Sequence, residues 1–156
     1  MKPIFIDFET YSSEDIKSGG AYRYTQSPDF EILLIGYAVG DGPVNIVDTT
    51  RSDAYEQFTD FVNLILDEQY TIVAHNAQFE RLCLKAYNVD IPADRFLCTA
   101  TLALYAGFPE SLGNLSKALD LQEGKKGTGL ALIKFFCQPQ KPTKANPEKY
   151  RNDPKD

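Results

Sequence analysis

The sequence has no long apolar segment, few cysteines and a single histidine. Its longest apolar stretch, residues 32–39, is far shorter than the roughly 20 residues that a membrane-spanning helix needs. The chain reaches Asp7 after only three apolar residues, which argues against a secretory signal. Three scattered cysteines are too few for a disulfide framework or a zinc site. We therefore expect a soluble, cytoplasmic protein with no membrane partner.

Basic residues are also scarce relative to acidic ones. The chain has 16 Lys and Arg against 22 Asp and Glu, which gives a formal net charge of −6. Such a chain is poorly suited to broad electrostatic binding of DNA, because contacts with phosphate need Lys and Arg. An enzyme whose acidic residues hold divalent metal ions is an exception, since the ions then supply the positive charge.

The chain does contain enough apolar material for one folded domain. Of its 156 residues, 43% are hydrophobic and 24% are charged. This composition argues against global disorder and against a coiled coil. A chain of this length can bury one hydrophobic core of ordinary size.

Alternating strand and helix patterns predict an α/β domain with a mixed central sheet flanked by helices. Apolar residues alternate over residues 3–8, as in a strand, and the run 31–39 is typical of a central strand buried on both faces. A turn at residues 41–42 joins this run to residues 44–47 in a predicted hairpin. Residues 12–20 are polar and end in two glycines, which predicts a loop. The other predicted elements are a strand over 70–74 and helices over 52–66, 77–87, 99–105, 111–119 and 128–137.

The C-terminal residues differ from the rest in composition. Residues 138–156 hold four of the nine prolines, and their only apolar side chains are Ala145 and Tyr150. We therefore interpret residues 1–137 as the folded domain and residues 138–156 as a Pro- and Lys-rich tail or linker.

Two carboxylates close the first predicted strand. Asp7 and Glu9 are two residues apart, so they share one face of the strand with α-carbons about 6.6 Å apart. Two bare charges at that distance repel by about 2.5 kcal/mol at an effective dielectric of 20. A hard cation such as Mg²⁺ or Mn²⁺ would compensate them. From this spacing alone, however, we favour the simpler interpretation that both side chains face solvent at the end of a strand.

A second polar group follows the strand at 70–74. Asn76 and Glu80 are four residues apart, so they can share one helical face that looks across at the first strand. Phe79 lies on the neighbouring stripe of that helix. A helix cap for Asn76 and a favourable interaction of Glu80 with the helix dipole are the structural alternatives. For His75, a hydrogen-bonded structural role is favoured over a role as general base.

These segments resemble known motifs. Residues 4–10 (IFIDFET) and 75–80 (HNAQFE) resemble the first and second motifs of the DEDD (DnaQ-like) 3′–5′ exonucleases. More narrowly, the chain resembles the N-terminal exonuclease region of phage-type family A DNA polymerases. That resemblance spans most of the chain, in residues 7–12 (DFETYS), 27–34 (SPDFEILL), 74–81 (AHNAQFER), 111–113 (SLG), 131–134 (ALIK) and 141–144 (KPTK).

The resemblance implies a ribonuclease H-like fold, with three antiparallel strands first and then a parallel strand. It implies two-metal hydrolysis, with Mg²⁺ or Mn²⁺, of the 3′-terminal phosphodiester of single-stranded DNA. The expected partners are the 3′ end of DNA and a polymerase module, in the same or a separate chain, within a bacterial or phage-infected cell. The residues implied in catalysis and metal binding are Asp7, Glu9 and Glu80, and those implied in substrate binding are Thr10, Asn76 and Phe79.

The sequence departs from the family pattern at two points. Glu80 stands where the second motif usually has Asp. The third motif, a Tyr or His followed four residues later by Asp, has no match, since Tyr150 precedes Asp153 at the wrong spacing and Pro154 disrupts a helix there. We therefore expect weak or absent hydrolysis from this chain alone. The alternatives are a nuclease-like module without catalysis, which binds DNA or docks a polymerase, and a member of the superfamily that acts on RNA.

Overall fold

The computed structural model of the chain describes residues 1–121, 127–145, 147 and 150–152. These residues form a mixed α/β structure in which one sheet is flanked by helices, as the sequence predicts. No helix in these ranges is both long enough and apolar enough to cross a lipid bilayer.

The sheet is built outwards from its first strand. Strand β1 (Lys2–Tyr11) pairs antiparallel with β2 (Glu31–Val39), which pairs antiparallel with β3 (Asn45–Asp48). On the other side, β4 (Tyr70–Ala74) lies parallel to β1, and β5 (Phe96–Cys98) lies parallel to β4. The predicted hairpin of β2 and β3 is confirmed. The sheet therefore has five strands, with β1 at its centre.

The strand order differs from the predicted one. The expectation was three antiparallel strands followed by one parallel strand, whereas the observed order is β3-β2-β1-β4-β5. Strand β5 was not predicted. It has only three residues, which is too few for an alternating pattern to stand out in a sequence.

The predicted helices are confirmed to within two residues at either end. The polar loop predicted over residues 12–20 is wrong in its second half, because α1 begins at Ile16. The Asp15 side chain accepts a hydrogen bond from the Lys17 backbone N–H at 3.1 Å and so caps this helix. Gly20, at φ 74°, kinks it. The helices are α1 (Ile16–Thr25), α2 (Ala54–Leu66), α3 (Ala77–Ala86), α4 (Thr99–Tyr105), α5 (Leu112–Ala118) and α6 (Gly127–Phe136), and a 3₁₀ turn covers Ala93–Arg95.

The core lies on one face of β1. Ile4, Ile6 and Phe8 alternate along the strand and are all buried. Phe8 packs edge-to-face on Phe61 of α2, with ring centroids 6.1 Å apart. Each such buried side chain stabilises the fold by about 1.5–3 kcal/mol. The other fully buried core side chains include Ile32, Ile35, Ile65, Ile72, Cys83 and Leu84.

The opposite face of β1 carries the polar side chains, and helices α5 and α6 border it. The domain boundary after residue 137 stays a prediction. Two residues of the predicted tail, Arg151 and Asn152, nevertheless contact the folded body.

Candidate functional site

Asp7 and Glu9 lie on the face of β1 that points away from the core, as their spacing predicts. Asp7 is exposed and Glu9 is half-buried. Both line one open cleft of about 800 Å³, together with residues of α5 and α6. Gly36 of β2 lies directly opposite Asp7 in the antiparallel ladder, so no neighbouring side chain on that strand shields the Asp7 carboxylate.

Glu80 lies in the first turn of α3 and is only 3% exposed. Its Oε2 atom has no hydrogen-bond partner in the described part of the chain. Burial, with a smaller contribution from the nearby Asp7 carboxylate, raises the pKa of Glu80 to about 8, so this carboxyl is protonated at neutral pH. Helix α3 thus brings Glu80 within electrostatic reach of Asp7 on β1. A buried acid without a partner is costly, and such groups concentrate at functional sites.

The three carboxyl groups do not form a closed metal site. Within the described ranges, no three His, Cys, Asp or Glu side chains lie close enough together to hold an ion. Their chemistry nevertheless fits a hard divalent ion, because all three offer carboxylate oxygens. The unpartnered Oε2 of Glu80 is the kind of orphaned atom that such an ion would satisfy.

Asn76 lies at the start of α3 and lines the same cleft as Asp7 and Glu9. Its backbone is left-handed, with φ 73°, and its side chain makes no capping hydrogen bond. Asn tolerates this conformation better than most residues. The exposed amide is therefore available to the cleft rather than committed to the helix.

His75 connects two walls of the cleft. Its Nε2 donates to the Glu110 carbonyl oxygen at 2.8 Å, which requires the proton on that nitrogen. Its Nδ1 lies 3.0 Å from the Thr99 hydroxyl. The two ring nitrogens thus hold the turn before α3 against the start of α4, through Thr99, and against the loop before α5, through Glu110. The expected hydrogen bonding of His75 is confirmed.

Thr10 and Phe79 line a second cavity, of about 510 Å³, which also includes Glu9. The Thr10 hydroxyl lies 3.0 Å from the Tyr24 hydroxyl, so its side chain is held by that contact. Phe79 is half-buried and packs near the Tyr24 ring, with centroids 6.0 Å apart. Five of the six predicted site residues, all but the buried Glu80, are therefore divided between two cavities that meet at Glu9.

Two cysteines to which sequence reasoning gave no functional role lie at this site. Cys137 donates a weak hydrogen bond to Glu9 Oε2 over 3.8 Å. Burial and the Glu9 charge raise the pKa of the Cys137 thiol to about 11. Cys98 is different. Burial opposes its ionisation, but hydrogen bonds from Thr101 and from the backbone at Ala77 outweigh that effect and lower its pKa to about 7. No local pattern could have indicated the contact of Cys137 with Glu9, because 128 residues separate the two partners.

The structure describes only part of the segment that contains Tyr150 and Asp153. Asp153 and Pro154 lie outside the described residues. Tyr150 is exposed, and Asn152, which follows it by two residues, is buried.

Fold and site together define a mixed α/β domain with an acidic cleft beside its central strand. Over 155 residues, 99% of this chain, the sequence is 41% identical to the DNA polymerase of Bacillus phage SP02. The chain is thus a homologue of one part of that polymerase. The aligned part is 24% of the polymerase, so this chain spans about a quarter of the length of its relative.

A solved structure of the family B DNA polymerase from the hyperthermophilic archaeon Pyrobaculum calidifontis overlaps 56% of this chain and 11% of its own, at 16% identity and a TM-score of 0.36. At that level the overlap supports no argument about fold or function. No protein-family model matches the sequence.

Proposed function

We propose that this chain is the 3′–5′ exonuclease (proofreading) region of a phage-type DNA polymerase, with a ribonuclease H-like fold. The observation that carries the proposal is the placement of Asp7 and Glu9 in one cleft, with the Glu80 carboxyl, whose Oε2 has no hydrogen-bond partner in the described chain, in electrostatic reach of Asp7. The 41% identity to a phage DNA polymerase supports the polymerase context. The central position of β1, antiparallel to β2 and parallel to β4, supports the fold assignment.

In this proposal Asp7 and Glu9 hold Mg²⁺ or Mn²⁺. Glu80, whose carboxyl is protonated at neutral pH in the absence of metal, supports the site. A pair of such ions, when bound, supplies an activated water and stabilises the leaving oxygen. Proton loss from Glu80 is favoured by any positive charge that approaches Asp7, since the raised pKa reflects burial and a neighbouring negative charge. Asp7 and Glu80 therefore act as a coupled pair.

The remaining residues position the substrate in this proposal. Asn76 presents its amide to the cleft from the left-handed turn before α3. Phe79 and Tyr24 supply an aromatic wall to the adjoining cavity, against which the terminal base of a single strand stacks. Thr10 contributes through its backbone, because its hydroxyl already contacts Tyr24.

Hydrolysis of 3′-labelled single-stranded DNA with Mn²⁺ tests the proposal. We expect slow release of nucleotides from the 3′ end and a loss of about 100-fold or more in Asp7→Ala. Asp41→Ala removes an exposed carboxylate from the β2–β3 turn and serves as the matched control. Matched DNA and RNA oligonucleotides in competition decide the sugar preference, and preferred cleavage of RNA would favour the RNA-directed alternative.

A nuclease-like module without catalysis, which binds DNA or docks a polymerase, is the second candidate. The observation that favours it is the lack, in the described ranges, of a three-residue group that could hold an ion. Thermal melting with and without Mn²⁺ separates the two candidates. A metal site should raise the melting temperature by about 5 °C or more at saturating Mn²⁺, and Asp7→Asn should abolish the rise. No response to Mn²⁺ and no hydrolysis would favour the inactive module.

A further inference from the structure

Residues 150–152, here called the C-terminal strap, lie against the body where β1 ends and β2 begins. Tyr11 and Glu31 face each other across the β1–β2 ladder. Arg151 Nη1 is 2.8 Å from Glu31 Oε2, and the Arg151 guanidinium carbon lies 4.2 Å from the centre of the Tyr11 ring. One side chain thus makes an ion pair and a cation–π contact with a cross-strand pair.

The next residue of the strap holds the end of α6. Asn152 is buried, and its Nδ2 donates to the Phe135 carbonyl oxygen at 2.8 Å. Gln140 Nε2 donates to the Lys134 carbonyl oxygen at 3.0 Å. Both carbonyls belong to the last turn of α6, whose acceptors have no partner within the helix. The Gln140 backbone N–H donates to the Tyr150 carbonyl oxygen at 2.7 Å, which joins the two capping residues.

Helix α6 packs loosely on the other helices and strands of the described chain. Leu130, Leu132 and Phe135 are each about half exposed, and no other described element packs extensively on this helix. The Arg151–Glu31 pair, by contrast, is only about one-third exposed on each side, at 34% and 37%, so solvent screens it less than a fully exposed pair. The strap therefore links the end of α6, through the Asn152–Phe135 hydrogen bond, to the sheet, through the contacts of Arg151 with Glu31 and Tyr11.

The position of α6 matters because the helix forms a wall of the candidate site. Ile133 lines both cavities that meet at Glu9. Cys137 follows the last turn of α6, and its sulfur contacts both Glu9 Oε2 and the Thr10 backbone N–H. That N–H lies at the irregularity in the β1–β2 register between Glu9 and Thr10.

We propose that Arg151 and Asn152 are positioning residues which pin α6 to the sheet, so that Cys137 closes over Glu9, and that release of the strap opens the cleft on this side. The inference does not depend on nuclease activity. It concerns the access of solvent and ligands to Glu9, whatever the cleft binds.

The test uses the thiol of Cys137 as a reporter. The parent chain, Arg151→Ala and Asn152→Ala are treated with iodoacetamide, and the alkylation rate of each cysteine is followed by peptide mass spectrometry. We expect Cys137 to be alkylated about fivefold to tenfold faster in both variants. A factor of about this size follows from the loss of an ion pair with a cation–π contact, or from the loss of a buried hydrogen bond. Cys83, which is fully buried in the core, should react as slowly as in the parent.

Arg51→Ala is the matched control, because Arg51 forms an exposed ion pair with Asp53 on the surface; it should leave Cys137 unchanged. Arg151→Lys and Glu31→Gln are milder variants for use if the alanine variants fold poorly, and each should accelerate Cys137 about twofold to threefold. An unchanged Cys137 rate in the strap variants would overturn the proposal. So would a parallel rise at Cys83, because it would mean that the whole domain had loosened.

Discussion

The two faces of β1 are formed by alternate residues of one ten-residue strand, and yet they differ in burial, polarity and charge. One face carries Ile4, Ile6 and Phe8 against the core, where burial supplies stability. The other carries Asp7 and Glu9 into a cleft, where a buried carboxyl nearby has a strongly raised pKa. The apolar packing on one face of β1 therefore offsets the free-energy cost of the acidic side chains on the other.

The largest effect is expected from truncating a side chain on the core face of β1. Ile4 is fully buried, so Ile4→Ala should cost about 2–5 kcal/mol in the free energy of unfolding, measured by urea titration. Phe5→Ala is the matched control, because Phe5 is 45% exposed on the opposite face. We expect it to cost less than about 1 kcal/mol. Equal losses would mean that the two faces are not energetically distinct.

The second test concerns the pH dependence of stability. The pKa of Glu80 rises from its ordinary value of 4.5 to about 8 in the folded protein. Between those values the folded chain keeps a proton that the unfolded chain has released, so the contribution of Glu80 to stability is fully present below pH 4.5 and is lost as the pH rises towards 8. The slope should approach about 1.4 kcal/mol per pH unit.

Glu80→Gln should flatten this slope, because the amide does not ionise. Urea titrations of the parent and the variant at pH 5, 6, 7 and 8 measure it. Glu56→Gln in α2 changes an exposed carboxylate and should leave the slope as in the parent. A flat profile in the parent would contradict the assignment of Glu80 as a buried, neutral acid.

A smaller effect on the free energy of unfolding is expected from removing His75, which joins the two walls of the cleft. His75→Ala removes the hydrogen bonds to Glu110 and Thr99 and should cost about 1–2 kcal/mol in unfolding free energy. Gln78→Ala, at an exposed position in α3, the helix that follows His75, is the control. Equal stabilities for the two variants would show that His75 does not join the walls.

The smallest expected effect is the influence of Asp7 on its neighbour. Asp7→Asn removes a negative charge that favours the protonated form of Glu80. The pKa of Glu80 should therefore fall from about 8, by less than about one unit, as measured by NMR of the Glu80 carboxyl carbon. Asp41→Asn should leave it unchanged. An unaltered value in Asp7→Asn would mean that the acids on the site face are independent of each other.

The core face of β1 could be predicted because alternation is local. The pattern of Ile4, Ile6 and Phe8 specifies a strand and its buried side from sequence alone, and the same alternation places Asp7 and Glu9 together. The prediction missed α1, whose apolar residues do not recur on one face and whose course is broken at Gly20.

The site was harder to predict than the core, because its geometry depends on contacts distant in sequence. The position of Glu80 on α3 was predicted, but its burial and its missing partner follow from the packing of that helix near β1. The docking of Arg151 was not predicted either. Its surroundings in sequence are polar and rich in proline, and its partners Tyr11 and Glu31 lie more than a hundred residues away.

The glycine opposite Asp7 has a consequence for engineering the cleft. A β-carbon built on Gly36 would lie 3.7 Å from both the Asp7 carbonyl oxygen and Ile46 Cδ1, an ordinary van der Waals distance, so the backbone would accept a methyl group there. Alanine and then valine at this position would crowd the approach to one carboxylate in graded steps while leaving the apolar layer on the far side of the sheet untouched. The side chain at position 36 would therefore set how wide the opening beside Asp7 is.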